Sequence, residues 1–349
     1  MGADKFFGWV AFDKSAAKGH MIQTEFDVRP FTDNDIDLEI AYCGVCGSDI
    51  HTLRNGWGNT TYPIVVGHEI VGKVIKKGAN VKQFEIGDRV GVGAQCDSCL
   101  KCDLCKGNNE QYCGDMKFTY GGEYGKYISQ GGYALNGRYP ASFAFKLPKS
   151  IPSEIVAPMM CAGVTTYSPL KRHGAGPGKT VGVIGIGGLG HFGLMFAKAL
   201  GCDKVVAISR SRSKEADARK LGATDFIATG EKNWLNDWEH KIDIIINTAN
   251  IASMPTLQYL LLLKIGGSMV QLGIPEAPLE NFLAFPFAFY NANYTGSTMG
   301  SRKDIEDMLA LAAKDNIKSW VQIRPMSEAN DVIQAFEAGE PRYRYVLKN

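Results

Sequence analysis

The run Gly185-Ile186-Gly187-Gly188-Leu189-Gly190 follows the apolar stretch 181–184 and opens a helical pattern ending near Leu200. A glycine-rich turn alone means little; between a strand and a helix it constrains the fold strongly. The first Gly makes the tight turn, the second admits a pyrophosphate, and the third lets helix and strand pack closely. The phosphates then meet a positive helix N-terminus. Strand-like runs (TVGVIGI, KVVAISR, DFIAT, DIIINTA, SMVQLGI, YTGSTMG) alternate here with helical patterns such as HFGLMFAKAL and KEADARKLGA. That alternation predicts βαβ units and a parallel sheet, an α/β dinucleotide-binding domain over 153–298. Residues 1–152 read as β-rich, with short β-branched runs such as DIDLEIAY and EIVGKVIKKG broken by Gly and Asp. The tail, 299–349, adds two helical and two strand-like runs.

The end of the second strand selects the dinucleotide. An NAD site usually carries an acid about 20 residues past the glycines, to bind the ribose 2′-hydroxyl. Here the strand runs into Ser209-Arg210-Ser211-Arg212-Ser213-Lys214, and the first acid is Glu215. Hydroxyl and basic donors replace the carboxylate that would repel a 2′-phosphate, and the planar fork of Arg210 suits that phosphate. The expectation is NADP(H), held through Ser209, Arg210, Ser211 and Lys214. Thr248, Gly273, Ser297, Thr298 and Met299 follow later strands and should line the carboxyl edge of the sheet, where ligands bind.

Five of the nine cysteines crowd between Cys96 and Cys113. Cys99, Cys102, Cys105 and Cys113 have the spacing of a closed, structural four-thiolate zinc site. Adding Cys96 gives an evenly spaced run that also suits an iron–sulfur cluster, though the usual wider last gap and following Pro are missing. A second set is dispersed: Cys46, His68 and Cys161 have the Cys2His composition of a catalytic zinc site with one position open.

Composition excludes other classes. Lys+Arg minus Asp+Glu is 38 − 36 = +2, which gives no basic field for nucleic acid or an anionic membrane. No apolar run is long enough to span a bilayer, and the N-terminal segment lacks the apolar core of a signal peptide. A cytoplasmic protein without membrane or nucleic-acid partners is expected. The aromatic run 281–290 reads as a subunit interface, a pocket wall or a buried helix.

These motifs together resemble the zinc-dependent medium-chain dehydrogenase/reductase family, in its cinnamyl alcohol dehydrogenase-like branch. The resemblance rests on residues 44–51, Gly67 through Gly72 and Gly78 to Val81, the four-cysteine lobe, 161–167, the glycine turn and 342–346. It implies a GroES-like β-rich catalytic domain (1–152) with an inserted Rossmann domain (153–298), and a C-terminal segment (299–349) that rejoins the first. It implies Cys46, His68 and Cys161 as ligands of a catalytic zinc, with Glu69 able to approach it, and one further structural zinc. Asp49 resembles the carboxylate that orients the ligand His. Ser48 and His51 match the positions that pass the alcohol proton outward. Thr165 and Arg344 resemble further cofactor contacts, and Trp57 and Phe118 the pocket walls. Cys43 and Cys96 lie outside the ligand positions. The expected activity is hydride transfer between NADP(H) and a primary, aromatic-type alcohol or aldehyde, by a homodimer. Two alternatives are a polyol or secondary-alcohol dehydrogenase and a non-catalytic zinc-ribbon protein binding nucleic acid; the balanced charge disfavours the latter.

Overall fold

Alternation of apolar and polar residues builds the central strand of the first unit, Asp35–Gly44. Ile36, Leu38 and Ile40 are buried on one face. Asp35 and Asp37 are buried too, matched by Arg29 (2.6 Å) and Arg138 (2.8 Å). The computed structural model describes residues 4–58, 60–279 and 282–349. They form two units: Met1–Cys161 with Ser301–Asn349, and Ala162–Gly300. Residues 153–161, grouped by sequence with the dinucleotide-binding segment, pack with the first unit.

In the first unit a seven-stranded sheet runs Ala144–Lys146, Arg89–Val92, Glu69–Lys77, Asp35–Gly44, Arg344–Lys348, Val321–Pro325, with Asn136–Pro140 also on the central strand. The C-terminal strand Arg344–Lys348 pairs antiparallel with Asp35–Gly44, Val346 opposite Gly44. That pairing brings the end of the chain to the strand that leads into Cys46. Gly44 itself admits no side chain, since a Cβ there would collide with Glu69.

The second unit is a six-stranded, all-parallel sheet in the order Asp225–Ala228, Lys204–Ser209, Thr180–Ile184, Ile242–Asn247, Leu263–Gln271, Asn293–Gly296. In sequence rank this is 3-2-1-4-5-6, the dinucleotide-binding order, whose switch point lies between the strands Thr180–Ile184 and Ile242–Asn247. Its inner strands carry unbroken buried runs, Thr180–Ile184, Val205 to Ile208 and Ile244 to Ile246, as burial on both faces requires. The aromatic run is not a buried helix: Phe282, Leu283, Phe285 and Phe289 are 42%, 54%, 48% and 71% exposed around the short helix Phe285–Tyr290. Asn281, at its start, lies outside the described residues. Among the described residues no helix is long and apolar enough to cross a membrane.

Candidate active site

Local backbone geometry delivers each donor. Cys46 caps the helix Gly47–Leu53, and its N–H donates to Asp49 Oδ2 at 2.9 Å. Gly67, at φ +99°, turns the chain into His68 and the strand Glu69–Lys77. Cys161 ends the turn Ala157–Met160. Gly93 packs against that turn so closely that a Cβ would stand 2.5 Å from the Met160 carbonyl oxygen.

One donor atom from each of Cys46, His68, Glu69 and Cys161 lies within 4.8 Å of the others, and all four residues are buried. Cys46 Sγ and Cys161 Sγ are 4.0 Å apart. Two sulfurs on one tetrahedral zinc at about 2.3 Å stand about 3.8 Å apart. His68 Nε2 and Glu69 Oε2 are buried without a hydrogen-bond partner, an arrangement that native interiors avoid unless water or an ion supplies the contact. The donor set therefore fits zinc. Its electrostatics agree. The bond from the Cys161 thiol, with help from His68, holds Cys46 well below the ordinary thiol range, and that bond and burial push Cys161 up. Burial works against a charged His68, but the Cys46 charge outweighs it and raises the imidazole to about 9. Cys161 and His68 thus hold protons that a dication would displace. Burial raises Glu69 to about 7 although its Oε1 pairs with Arg344.

Around this centre Asp49 is buried and also accepts the Gly67 N–H at 3.1 Å. Ser48 Oγ stands 3.6 Å from Cys46 Sγ. His51 stacks on Trp57 (4.7 Å, 20°), and its Nδ1 accepts a bond from Arg54 at 3.0 Å. A guanidinium only donates, so Nε2 carries the ring hydrogen. Arg54 is itself tied to Glu337 at 2.9 Å. Trp57 and Phe118 are 37% and 50% exposed.

The four-cysteine lobe is resolved against the iron–sulfur reading. Sγ separations are 3.8 Å (Cys99–Cys105), 3.5 Å (Cys102–Cys105), 3.8 Å (Cys102–Cys113) and 3.5 Å (Cys99–Cys113), close to tetrahedral zinc edges. Cys96 stands apart, bonded to the Phe118 carbonyl at 3.2 Å. The N–H groups of Lys101 and Cys102 hold Cys99 down to about 6.

In the second unit the glycine turn is braced from three sides. The Thr248 hydroxyl bonds the carbonyls of Ile184 (2.8 Å) and Gly185 (2.7 Å). The Lys214 ammonium bonds the Ile186 carbonyl at 2.7 Å. Nδ1 of the buried His191 donates to Gly188 O at 2.8 Å. Gly190 has no room for a Cβ, which would strike the Gly185 carbonyl, and Gly273 none beside Ala249. Leu189 and Gly187 complete the turn. Arg212 is engaged by Glu231 (2.7 Å) and Glu215 (2.8 Å); Arg210 is exposed. Thr165 sits in the helix Ala162–Arg172, and Ser297, Thr298 and Met299 follow the edge strand.

Residues 32–149 match the model of the alcohol dehydrogenase GroES-like domain, and 188–314 that of the zinc-binding dehydrogenases. The chain is 43% identical to the NADP-dependent alcohol dehydrogenase 6 of Saccharomyces cerevisiae, over 93% of this chain and 91% of that protein. It is 41% identical to the probable mannitol dehydrogenase 1 of Stylosanthes humilis, over 99% and 97%. The solved cinnamyl alcohol dehydrogenase of Sorghum bicolor superposes with a TM-score of 0.93 at 35% identity, covering 99% and 98%. The chain belongs to the zinc-dependent medium-chain dehydrogenase/reductase family. Within it, it falls in the cinnamyl alcohol dehydrogenase-like branch.

For a member of this family, sequence reasoning missed three side chains at the site and named a fourth, Arg344, only as a cofactor contact. Arg344, expected at the cofactor, is 1% exposed and paired with Glu69. Arg54, Tyr120 and Tyr133 carried no motif; only a Tyr close after Gly-Gly hinted at the last.

Proposed function

We propose that the chain is an NADP(H)-dependent zinc alcohol dehydrogenase, equally an aldehyde reductase, acting on primary alcohols and aldehydes with an aromatic or bulky apolar body. One observation carries this reading: the lobe closes four thiols on one another, whereas Cys46, His68 and Cys161 offer two thiols and an imidazole beside Glu69, a carboxylate whose Oε1 is held by Arg344. The first is the composition of a closed site, the second that of a site which takes substrate.

Cys46, His68 and Cys161 would hold the ion; zinc there supplies Lewis acidity to an alcohol or carbonyl oxygen. NADP(H) supplies the hydride chemistry, with Arg210, Ser209 and Ser211 on its 2′-phosphate. The Ser48 hydroxyl, beside Cys46, accepts the substrate proton as it gives its own onward through the cofactor ribose hydroxyl towards His51. His51 lies three residues on, one helical turn along the same face, and passes that proton outward; its Nδ1 becomes available as the Arg54 bond opens. Asp49 orients the ligands from behind. Trp57 and Phe118 offer aromatic walls.

The exposed aromatics at 282–289, next to the open sheet edge Asn293–Gly296, support a homodimer in which a second copy covers them. Nine unpaired cysteines support a reducing, cytoplasmic setting. The mannitol dehydrogenase likeness favours one second reading, polyol oxidation. The test follows NADPH absorbance with aromatic aldehydes, aliphatic aldehydes and mannitol plus NADP⁺, before and after chelation. Aromatic aldehydes should turn over fastest and only with zinc. Turnover that survives complete zinc removal sinks the mechanism, and preference for mannitol favours the second reading.

A further inference from the structure

Two tyrosines stand behind the His68 side of the site. Segment 131–133 runs beside 65–67: Gly131 N–H donates to Val65 O at 2.7 Å, Gly132 N–H to Gly67 O at 2.7 Å, and Tyr133 N–H to Val66 O at 3.0 Å. This pairing seats the fully buried Tyr133 ring on Gly67, where a Cβ would come 2.5 Å from Tyr133 Cδ1. The Tyr133 hydroxyl then reaches the helix Gly47–Leu53 and donates to Asp49 Oδ2 at 3.0 Å. One carboxylate therefore joins the backbone N–H of Cys46, the backbone N–H of the residue before His68, and a tyrosine. Tyr120 lies flat against the His68 imidazole, centroids 5.2 Å apart and planes 5° from parallel.

We propose that Tyr133 is a positioning residue for the metal centre: through Asp49 it locks Cys46 and His68 in ligand geometry, while Tyr120 holds the plane of the imidazole. The inference rests on the reading of Cys46, His68 and Cys161 as ligands. Its physical basis is that a carboxylate held by three donors cannot rotate, so both backbone anchors keep their places. Without the hydroxyl the carboxylate keeps two donors and gains freedom, and outer partners of metal ligands commonly change metal affinity or activity about 10–100-fold. The Tyr133→Phe change removes one oxygen and leaves the ring that fills the space against Gly67, so the fold is kept.

The experiment follows zinc release from the holoenzyme to a colorimetric chelator, with the lobe ion as internal reference. The phase absent in Cys161→Ser identifies the other ion. Tyr133→Phe should speed that phase about tenfold, leave the lobe phase unchanged, lower kcat more than it alters KM, and shift the visible bands of the cobalt-substituted enzyme. Tyr120→Leu should alter the same bands. Unchanged release, or both phases accelerating together with a lowered Tm, overturns the proposal, since the second outcome marks general destabilisation. A wild-type holoenzyme that carries only the lobe zinc overturns the ligand reading itself, a result visible before any tyrosine is changed.

Discussion

Single atoms decide much of the chemistry. Gly44 and Glu69 face each other across two paired strands with no space for a methyl group. Gly44→Ala should destabilise by about 1–3 kcal/mol through overpacking, read as a lower Tm, and should disturb Glu69 and its partner Arg344. At the other unit, Arg210 stands exposed while neighbouring Arg212 is neutralised by two glutamates. Arg210→Ala should remove a charge-assisted contact of about 1.5–3 kcal/mol, a loss of about ten- to hundredfold in NADP⁺ affinity. NAD⁺ affinity should stay level; equal losses for both nucleotides would refute the assignment of Arg210.

At the scale of elements, the strand Asp35–Gly44 carries a buried ion pair at its start. Arg29 holds Asp35 by two bonds of 2.6 Å; burial alone would raise the carboxyl, but Arg29 and Thr32 together bring it below the ordinary range. The folded value is thus below the unfolded value of about 3.9. The pair's contribution is complete above that pH and is lost as pH falls through the folded value. Asp35→Ala leaves Arg29 buried alone and should cost about 3–5 kcal/mol, with a flatter acid limb in a stability-versus-pH curve. The lobe behaves as another such element. It has four mutually close thiols in a segment of very short helices and strands, where zinc would stand in for a core. Cys113→Ser should reduce the zinc content from two ions per chain to one and lower Tm; an unchanged metal count would exclude the lobe as a site.

For the whole molecule, the exposed aromatics around Phe289 are the surface that the proposed homodimer would cover. Light scattering should give twice the chain mass, and Phe289→Asp should shift it towards the single chain while zinc content stays the same. A wild-type monomer would leave that surface without its proposed occupant. The return of the C-terminus matters equally at this scale. Arg344–Lys348 pairs with Asp35–Gly44 across about three hundred residues of sequence and carries Arg344 to Glu69, so truncating the last strand should remove activity as well as stability.

Motifs whose physics is local were legible in the sequence: the glycine turn between strand and helix, the four-cysteine spacing, the missing acid after the second strand. Each rests on backbone geometry or charge within a few residues, which a chain carries wherever it folds. The dispersed centre was legible only as a composition and through a family likeness, because Cys46, His68 and Cys161 meet through strand pairing and a turn that no short window contains. What tertiary structure alone decided are contacts between distant segments. Arg344 went to Glu69, Tyr133 to Asp49, and the aromatic run to the surface. In each case the partner, and whether a side chain is buried, depends on which segments the sheets bring side by side, and that information is absent from any stretch of sequence read alone.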